Sequence, residues 1–172
     1  MAASPSSLTL DTPIPTGPWV LYHHSMSENK WTLSTFQNVA TMGTWREFWA
    51  VMEALRSPTL TESMFFLMRK GIDPLYENFQ NIRGGSYSLR INKDQAGECF
   101  IAYAIAMMLG EATTEKANVI NGMSISPKRG FCILKVWNTD CIKYKDPAEL
   151  TIHWEGLHPA EILYTPHVEK KL

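Results

Sequence analysis

The chain of 172 residues is long enough for one globular domain with a substantial core, and its 45% apolar and 19% charged residues are ordinary for such a domain. The formal net charge of −1 excludes a general electrostatic attraction for a polyphosphate backbone. A nucleic-acid ligand would therefore have to be held by a local basic cluster and by specific contacts.

The cysteines and apolar runs indicate a reducing compartment and no membrane span. Cys99, Cys132 and Cys141 form no CxxC pair, and the first residues have neither the charged nor the apolar region of a secretory signal. The longest apolar run, Phe100 to Leu109, is about half of the roughly 20 residues that a span requires. We expect the protein in the cytoplasm, with the nucleus as an alternative.

The first third of the chain predicts a tail and then short extended segments. Residues 1–17 are rich in Ser, Thr and Pro, which is typical of a flexible tail, and residues 18–172 are predicted to form one domain. Residues 19–23 form the first strand-like segment. A loop within residues 29–39 carries Trp31 into a second extended segment.

A helix signal follows at Thr44. Thr44 and Glu47 have the spacing of a capping box, in which each side chain satisfies a free backbone N–H of the first turn. Apolar residues then recur at helical spacing until Pro58 ends the run. Residues 64–68 are short and apolar and predict a strand.

The middle of the chain predicts a strand and a long helix. Residues 87–92 alternate between apolar and polar side chains, which is the period of a half-buried strand. Residues 98–109 are apolar on nearly all sides and end at Gly110, a suitable helix C-cap. This helix is therefore expected to lie buried against the sheet.

The last third completes the predicted fold. Residues 118–126 and 131–139 predict two strands around the turn PKRG. Asp146, followed by a proline and an acidic residue, predicts the start of a third helix, and residues 160–167 predict a last strand. Together the elements predict an antiparallel sheet with about three helices on one face, an α+β fold.

The segment 71–92 contains the residues that best indicate a ligand. Tyr76 offers a flat aromatic face, and Glu77 can accept hydrogen bonds from the N1–H and N2–H₂ edge of guanine. Hydrogen bonding to that edge is how a base outside a duplex is read. Trp31 and Trp137 can complete an aromatic slot. The pattern favours binding of one base rather than of a long nucleic-acid track.

Lys128 and Arg129, in the basic turn, can hold phosphates attached to such a base. A purine methylated at N7 is positively charged. Aromatic faces attract it by stacking, worth about 1–3 kcal/mol per base, and by cation–π interaction, worth roughly 0.5–2 kcal/mol. A carboxylate adds charge-assisted hydrogen bonds. Taken singly, each residue is more often structural, since isolated aromatics usually pack in cores and charged side chains are usually solvated.

The order of several short segments is more specific than any one of them. These segments are PWVLY, NKWTL, REFWAV, GIDP, Glu77, Arg83-Gly84-Gly85, Leu109-Gly110-Glu111 and KVWNTDC. In this order and at this approximate spacing, from Trp19 to Cys141 and more weakly to His167, the chain resembles the mRNA cap-binding translation initiation factor 4E family.

The resemblance implies a curved antiparallel sheet of about seven or eight strands backed by about three helices on its convex face, with the 7-methylguanosine cap on the concave face. In that family two tryptophans sandwich the methylated base; Trp31 matches the first, and Tyr76 stands at the second. Glu77 matches the glutamate that reads the guanine edge. Trp137 matches the tryptophan that contacts the N7-methyl group, and the family's phosphate-binding residues fall in the basic turn.

The resemblance also implies a dorsal surface that binds a helix with a Tyr-x₄-Leu-hydrophobic motif. Trp49 matches its main tryptophan, Trp45 lies nearby, and Leu109 and Gly110 lie at the end of the long helix. The expected partners are capped mRNA and a scaffold initiation factor or repressor that carries this motif. No cofactor, metal or membrane partner is expected, and the protein is expected to be a monomer.

Several positions depart from the family pattern and indicate a divergent, compact paralogue. Tyr76 gives a smaller stacking face than tryptophan, and Ser86 stands where the family usually has an arginine near the phosphates. Ala102 and Ala106 stand where dorsal leucines are expected. The basic C-terminal segment is reduced to the lysines at 170–171.

Other functions agree less well with these residues. There is no Gly-rich phosphate loop or nucleophile elbow, so we predict that the protein is not an enzyme. The spacing of Cys132, Cys141, His153 and His158 fits no usual zinc site. Two alternatives stay open. One is a same-fold interaction protein or translational repressor with weak cap binding that acts mainly through a dorsal groove, and the other is a broad single-strand binder with strongly salt-dependent affinity.

Overall fold

The computed structural model describes residues 9–56 and 58–168. They form a curved antiparallel sheet of seven strands in the order β2-β1-β3-β5-β6-β4-β7, with three α-helices in the described part of the chain. This confirms the predicted α+β fold. The strands are β1 Trp19–His24, β2 Phe36–Met42, β3 Met64–Arg69, β4 Gly85–Asn92, β5 Ile120–Pro127, β6 Phe131–Asn138 and β7 Leu163–Pro166, and the helices are α1 Trp45–Ala54, α2 Thr59–Glu62 and α3 Lys93–Leu109.

The two faces of the sheet carry different cores, because neighbouring residues of a strand point to opposite sides. On one side Leu21, Leu67 and Leu134 lie in a large apolar core, together with the buried residues of α1 and α3. We call this the helix-side core. On the other side Phe66 and Trp137 belong to a much smaller core. Because this second core is small, that face of the sheet has room for a ligand.

Helix α1 begins at the capping box, as predicted. The Thr44 hydroxyl accepts a hydrogen bond from the Glu47 N–H, and the Glu47 carboxylate accepts one from the Thr44 N–H. Phe48 is fully buried and anchors the helix in the helix-side core. The helix ends before Pro58, which also agrees with the sequence.

Helix α3 is longer than predicted, because it begins at Lys93 and not at Glu98. Its first residues, KDQAG, show no apolar repeat, yet Ala96 is buried in the helix-side core. The helix ends at Gly110 with a φ of +73°, so the predicted C-cap is confirmed. None of the helices in the described part of the chain combines the length and apolarity that crossing a membrane requires.

The prediction of a helix after Asp146 is wrong. The Asp146 side chain does accept a hydrogen bond from the Ala148 N–H, but Pro147–Glu149 form only one turn of 3₁₀-helix. Leu150 then pairs with Thr113 and is buried, so the chain leaves helical geometry. The α-helix that the sequence did not predict is the short α2, which lies between α1 and β3.

Part of the predicted flexible tail packs on the domain. Residues 1–8 lie outside the described residues. Residues 9–17 run beside the start of α1, where the carbonyl oxygen of Thr12 accepts a hydrogen bond from the Trp45 N–H. Ile14 is only 3% exposed. The folded region therefore begins before residue 18.

Candidate functional site

A cavity of about 430 Å³ lies on the sheet face opposite the helix-side core. It is lined by Trp31, Met64, Phe66, Pro74, Leu75, Tyr76, Glu77, Ser124, Ser126, Lys128, Ile133, Lys135 and Trp137. Five of the six residues predicted to bind the base or the phosphates of the cap therefore line one cavity. The sixth, Arg129, does not line it.

Trp31 lies beside this cavity on the loop between β1 and β2. The residue is 47% exposed, and its indole stacks on the imidazole of His24, with ring centroids 3.9 Å apart and planes 2° from parallel. Phe36 and Phe66 contact the same indole at steep angles. Trp31 is therefore covered on one side and still offers aromatic surface for stacking.

Tyr76 lies directly on Trp137. The ring centroids are 4.4 Å apart and the planes 26° from parallel. Trp137 has no exposed surface, and its indole N–H donates to the Ser124 hydroxyl at 3.3 Å. Burial raises the pKa of Tyr76 to about 12, although 36% of the residue's surface stays exposed. The two aromatic rings predicted to share a ligand are in contact with each other.

His167 packs against the same tyrosine, and the sequence prediction did not include it in the site. The His167 and Tyr76 ring centroids are 4.7 Å apart. Nδ1 of His167 lies 2.7 Å from the Asn81 carbonyl oxygen, and Nε2 lies 2.7 Å from the Ser86 hydroxyl. Burial lowers the pKa of His167, and the charge of Lys135 acts in the same direction. The Ser86 hydroxyl thus holds the His167 ring against Tyr76.

Glu77 lies on the loop between β3 and β4, where its side chain is exposed and lines the cavity. Asn81 is fully buried and holds this loop, because its amide donates to two carbonyl oxygens of the loop at 3.0 and 2.9 Å. At the RGG bend a Cβ on Gly84 would overlap the carbonyl oxygen of Asn138. The bend therefore requires glycine, and the loop that carries Glu77 is fixed at both ends.

The predicted basic turn contributes only one of its two cations to the cavity. Lys128 lines it, whereas Arg129 is exposed at the tip of the β5–β6 hairpin and lies outside the cavity lining. The lysines at 170–171 lie outside the described residues. A phosphate role for Arg129 therefore has no support from its position.

Lys135 is the cation that the sequence prediction missed. It precedes Trp137 by two residues on β6, and residues two apart on a strand share a face. Its ammonium donates to the Tyr76 hydroxyl at 3.4 Å, and burial lowers the pKa of Lys135. The alternation along β6 is the signal that could have identified this residue.

The predicted dorsal residues lie on the helix side of the fold. Trp49 is 44% exposed, and Trp45 is half-buried against the helix-side core. Leu109 is 41% exposed at the end of α3, next to the C-cap Gly110. Residues 9–17 connect the two helix ends, because they hydrogen bond both to the start of α1 and to the end of α3.

The zinc ligands considered from the sequence do not come together. Cys132 is buried in the helix-side core, while His158 is exposed and caps a 3₁₀ turn. Across residues 9–56 and 58–168, no group of three or more His, Cys, Asp or Glu side chains is placed to hold a metal ion.

The family model of Eukaryotic initiation factor 4E matches residues 16–170 of this chain. Eukaryotic translation initiation factor 4E of Homo sapiens is 22% identical over 128 residues, which cover 72% of this chain and 59% of that protein. Eukaryotic translation initiation factor 4E-1 of Caenorhabditis elegans is 25% identical over 128 residues, covering 72% of this chain and 60% of that protein. The chain thus spans about three fifths of the length of these relatives.

Two solved structures share the fold. Ascaris suum eIF4E-3, in complex with the m7G cap, superposes with a TM-score of 0.72 at 18% identity and with 94% of each chain covered. C. elegans eIF4E-3, in complex with the 4E-binding protein Mextli and a cap analog, gives a TM-score of 0.66 at 20% identity and 76% coverage of each chain. With its fold, its cavity and a family match over most of its length, the chain belongs to the eukaryotic initiation factor 4E family.

Proposed function

We propose that this protein binds the 7-methylguanosine 5′ cap of mRNA and acts in translation initiation or in its regulation. The observation that carries the proposal is the cavity around which Trp31, Tyr76, Glu77, Trp137 and Lys128 lie together. Membership of the family supports it, as do the cap ligands bound by the two eIF4E-3 proteins.

The base is proposed to bind between the aromatic surface and the carboxylate. Trp31 presents an indole that is about half exposed beside the cavity, so a methylated, cationic purine can stack on it. Glu77 can accept hydrogen bonds from N1–H and N2–H₂ of the same base. A ligand that satisfies both residues is held in one orientation.

A base that reaches Trp137 has to displace Tyr76, because Tyr76 covers the indole of Trp137 in the free protein. The displaced ring would lose its contacts with His167 and Lys135. The free energy of this displacement is subtracted from the binding free energy. We therefore expect the affinity to be lower than the contacts of the bound state alone would give.

Lys135 and Lys128 are proposed to hold the cap phosphates. Lys135 lies about 6.6 Å along β6 from Trp137, since each residue of a strand advances about 3.3 Å. Lys128 lies at the hairpin end of the same cavity. Phosphates attached to a base over Trp137 can therefore run along the strand past both ammonium groups. These two charges would replace that of the arginine which the family usually has at the position of Ser86.

The substitution Lys135→Ala is expected to weaken binding of 7-methylguanosine triphosphate about tenfold, because it removes one charge-assisted contact worth about 1.5 kcal/mol. The nucleoside 7-methylguanosine, which has no phosphate, should bind the variant no more weakly than the wild type. Arg129→Ala is the matched control and should change either affinity less than about twofold. Calorimetric titration measures all of these affinities. An equal loss for the nucleoside would contradict the phosphate role and indicate that Lys135 acts through Tyr76.

The cap proposal itself is tested by titrating the protein with 7-methylguanosine triphosphate and with GTP. Methylation at N7 should tighten binding about two- to thirtyfold, because only the methylated base adds the cation–π interaction with the tryptophans. Equal affinity for both ligands would refute the proposal. A broad single-strand binder would instead lose affinity steeply with salt and show no dependence on methylation.

An interaction protein or repressor that acts mainly through the dorsal side is the second candidate, and the exposure of Trp49 favours it. An exposed tryptophan on a helix is a suitable anchor for an amphipathic partner helix. The Mextli protein in the C. elegans complex supports a binding-protein partner. A peptide with the Tyr-x₄-Leu-hydrophobic motif that binds wild type but not Trp49→Ala, with no binding of cap analogue, would establish this function in place of the first.

A further inference from the structure

We infer that His24 is a positioning residue of the cap site, which holds the Trp31 indole in place for the base before any ligand arrives. The inference rests on the proposed function, because it assigns to Trp31 the role of stacking a base. It concerns a side chain that does not line the cavity and that therefore acts only through Trp31.

The first observation is the stack itself. The His24 and Trp31 rings lie 3.9 Å apart between centroids and 2° from parallel, so the imidazole covers the indole face to face. The two other aromatic neighbours of this indole, Phe36 and Phe66, lie 6.0 and 6.3 Å away at angles of 57° and 68°. Among these three rings, His24 is the one that lies parallel to the indole and covers its face.

The second observation concerns what surrounds His24. It is fully buried. Its Nδ1 lies 3.1 Å from the Ser25 carbonyl oxygen, and its Nε2 lies 2.9 Å from the Lys30 carbonyl oxygen and 3.1 Å from the Thr35 hydroxyl. These partners lie on the same loop that carries Trp31. A neutral imidazole carries one ring N–H, so it can donate to one of these two carbonyl oxygens. With the proton on Nδ1, its Nε2 can also accept a hydrogen bond from the Thr35 hydroxyl. The ring is thus tied to the loop and supports the aromatic side chain that the loop presents.

The consequence for binding is preorganisation. An exposed side chain that must be ordered when a ligand binds reduces the affinity, whereas a side chain that is already held does not. Removal of the His24 ring should leave Trp31 free to change rotamer. The ligand would then have to order Trp31 at the expense of affinity.

The test compares His24→Leu and His24→Gln, which remove the ring, with His24→Phe, which keeps a flat ring. In protein labelled with fluorotryptophan, the fluorine signal of Trp31 should shift and broaden in the Leu and Gln variants and stay sharp in the Phe variant, without any ligand. The signal is assigned by its disappearance in Trp31→Phe. His23→Leu is the matched control, because His23 is the neighbour of His24 on β1 and packs against Phe65 of the helix-side core.

Affinity for 7-methylguanosine triphosphate completes the test. His24→Leu and His24→Gln should weaken binding about three- to tenfold, and His24→Phe, which keeps the stacked ring but loses the ring hydrogen bonds, should weaken it by less than either. In a Trp31→Ala background the same changes should cause no further loss, because His24 acts through Trp31. A further loss of equal size, or an unchanged fluorine signal, would overturn the inference and indicate a purely structural role. If the wild type binds no cap analogue, the proposed function fails, while the fluorine signal still decides whether His24 orders Trp31.

Discussion

Replacing Glu77 with alanine is expected to weaken binding of 7-methylguanosine triphosphate about 10- to 150-fold. The carboxylate is exposed beside the cavity on a loop that Asn81 and the RGG bend hold in place. Hydrogen bonds to a charged group contribute about 1.5–3 kcal/mol, which corresponds to this range of affinity. GTP should also lose affinity, but by a smaller factor, because its edge presents the same N1–H and N2–H₂ donors on a base that carries no positive charge.

A ligand change makes the Glu77 prediction sharper than the mutation alone. 7-Methylinosine triphosphate lacks the N2 amino group, so it should bind wild type more weakly than the guanine ligand, whereas Glu77→Ala should bind the two ligands alike. Glu115→Ala is the matched control, since Glu115 is an exposed acid outside the cavity lining. A Glu77→Ala protein that still discriminates between the two ligands by the wild-type factor would show that another group reads the base edge.

Replacing Trp31 with alanine is expected to weaken cap binding about 5- to 150-fold, because stacking of one base on an aromatic side chain is worth about 1–3 kcal/mol. The preference for the methylated over the unmethylated ligand should also fall, since the indole supplies part of the cation–π interaction. Trp31→Phe keeps a smaller aromatic face, so its cap affinity and its preference for the methylated ligand should both lie between those of the wild type and Trp31→Ala. Calorimetry is the suitable measurement, because the variants remove a fluorophore of the site.

The outcome that contradicts the Trp31 prediction is a variant with unchanged methyl preference. Such a result would assign the recognition of N7-methylguanine to Tyr76 and Trp137 alone. Thermal unfolding of the same samples separates loss of binding from loss of fold. Trp31 is 47% exposed, so its removal should lower the melting temperature less than removal of a fully buried tryptophan such as Trp19 would.

Local patterns predicted those elements whose signals are carried by neighbouring residues. The capping box at Thr44, the alternation along β4 and the glycine after α3 are all visible in the sequence, and each is confirmed. The failure at Asp146 has a physical reason. An N-cap followed by proline starts a 3₁₀ turn as well as an α-helix, and only the pairing of Leu150 with Thr113 ends it after one turn.

The residues of the site also divide into those that the sequence predicts and those that only the structure identifies. Trp31, Tyr76, Glu77 and Trp137 were predicted from their chemistry and from the order of the surrounding segments, and they do lie around one cavity. His24 has no sequence signal of its own. A histidine in a strand is more often an ordinary packed residue, and only the return of the 25–35 loop brings the indole onto it.

The sequence by itself determined the chemical groups of the site, the alternating faces of the strands and the family to which the chain belongs. Only the tertiary structure decided that Tyr76 rests on Trp137, that His167 supports it, and that Lys135 rather than Arg129 lines the cavity. These contacts join residues from β6, from the end of β7 and from a loop between β3 and β4. They depend on the pairing of β4 with both β6 and β7. The alternating pattern of a strand determines which of its faces is buried, but it does not specify which distant strand lies beside it, and that choice depends on the packing of the whole sheet.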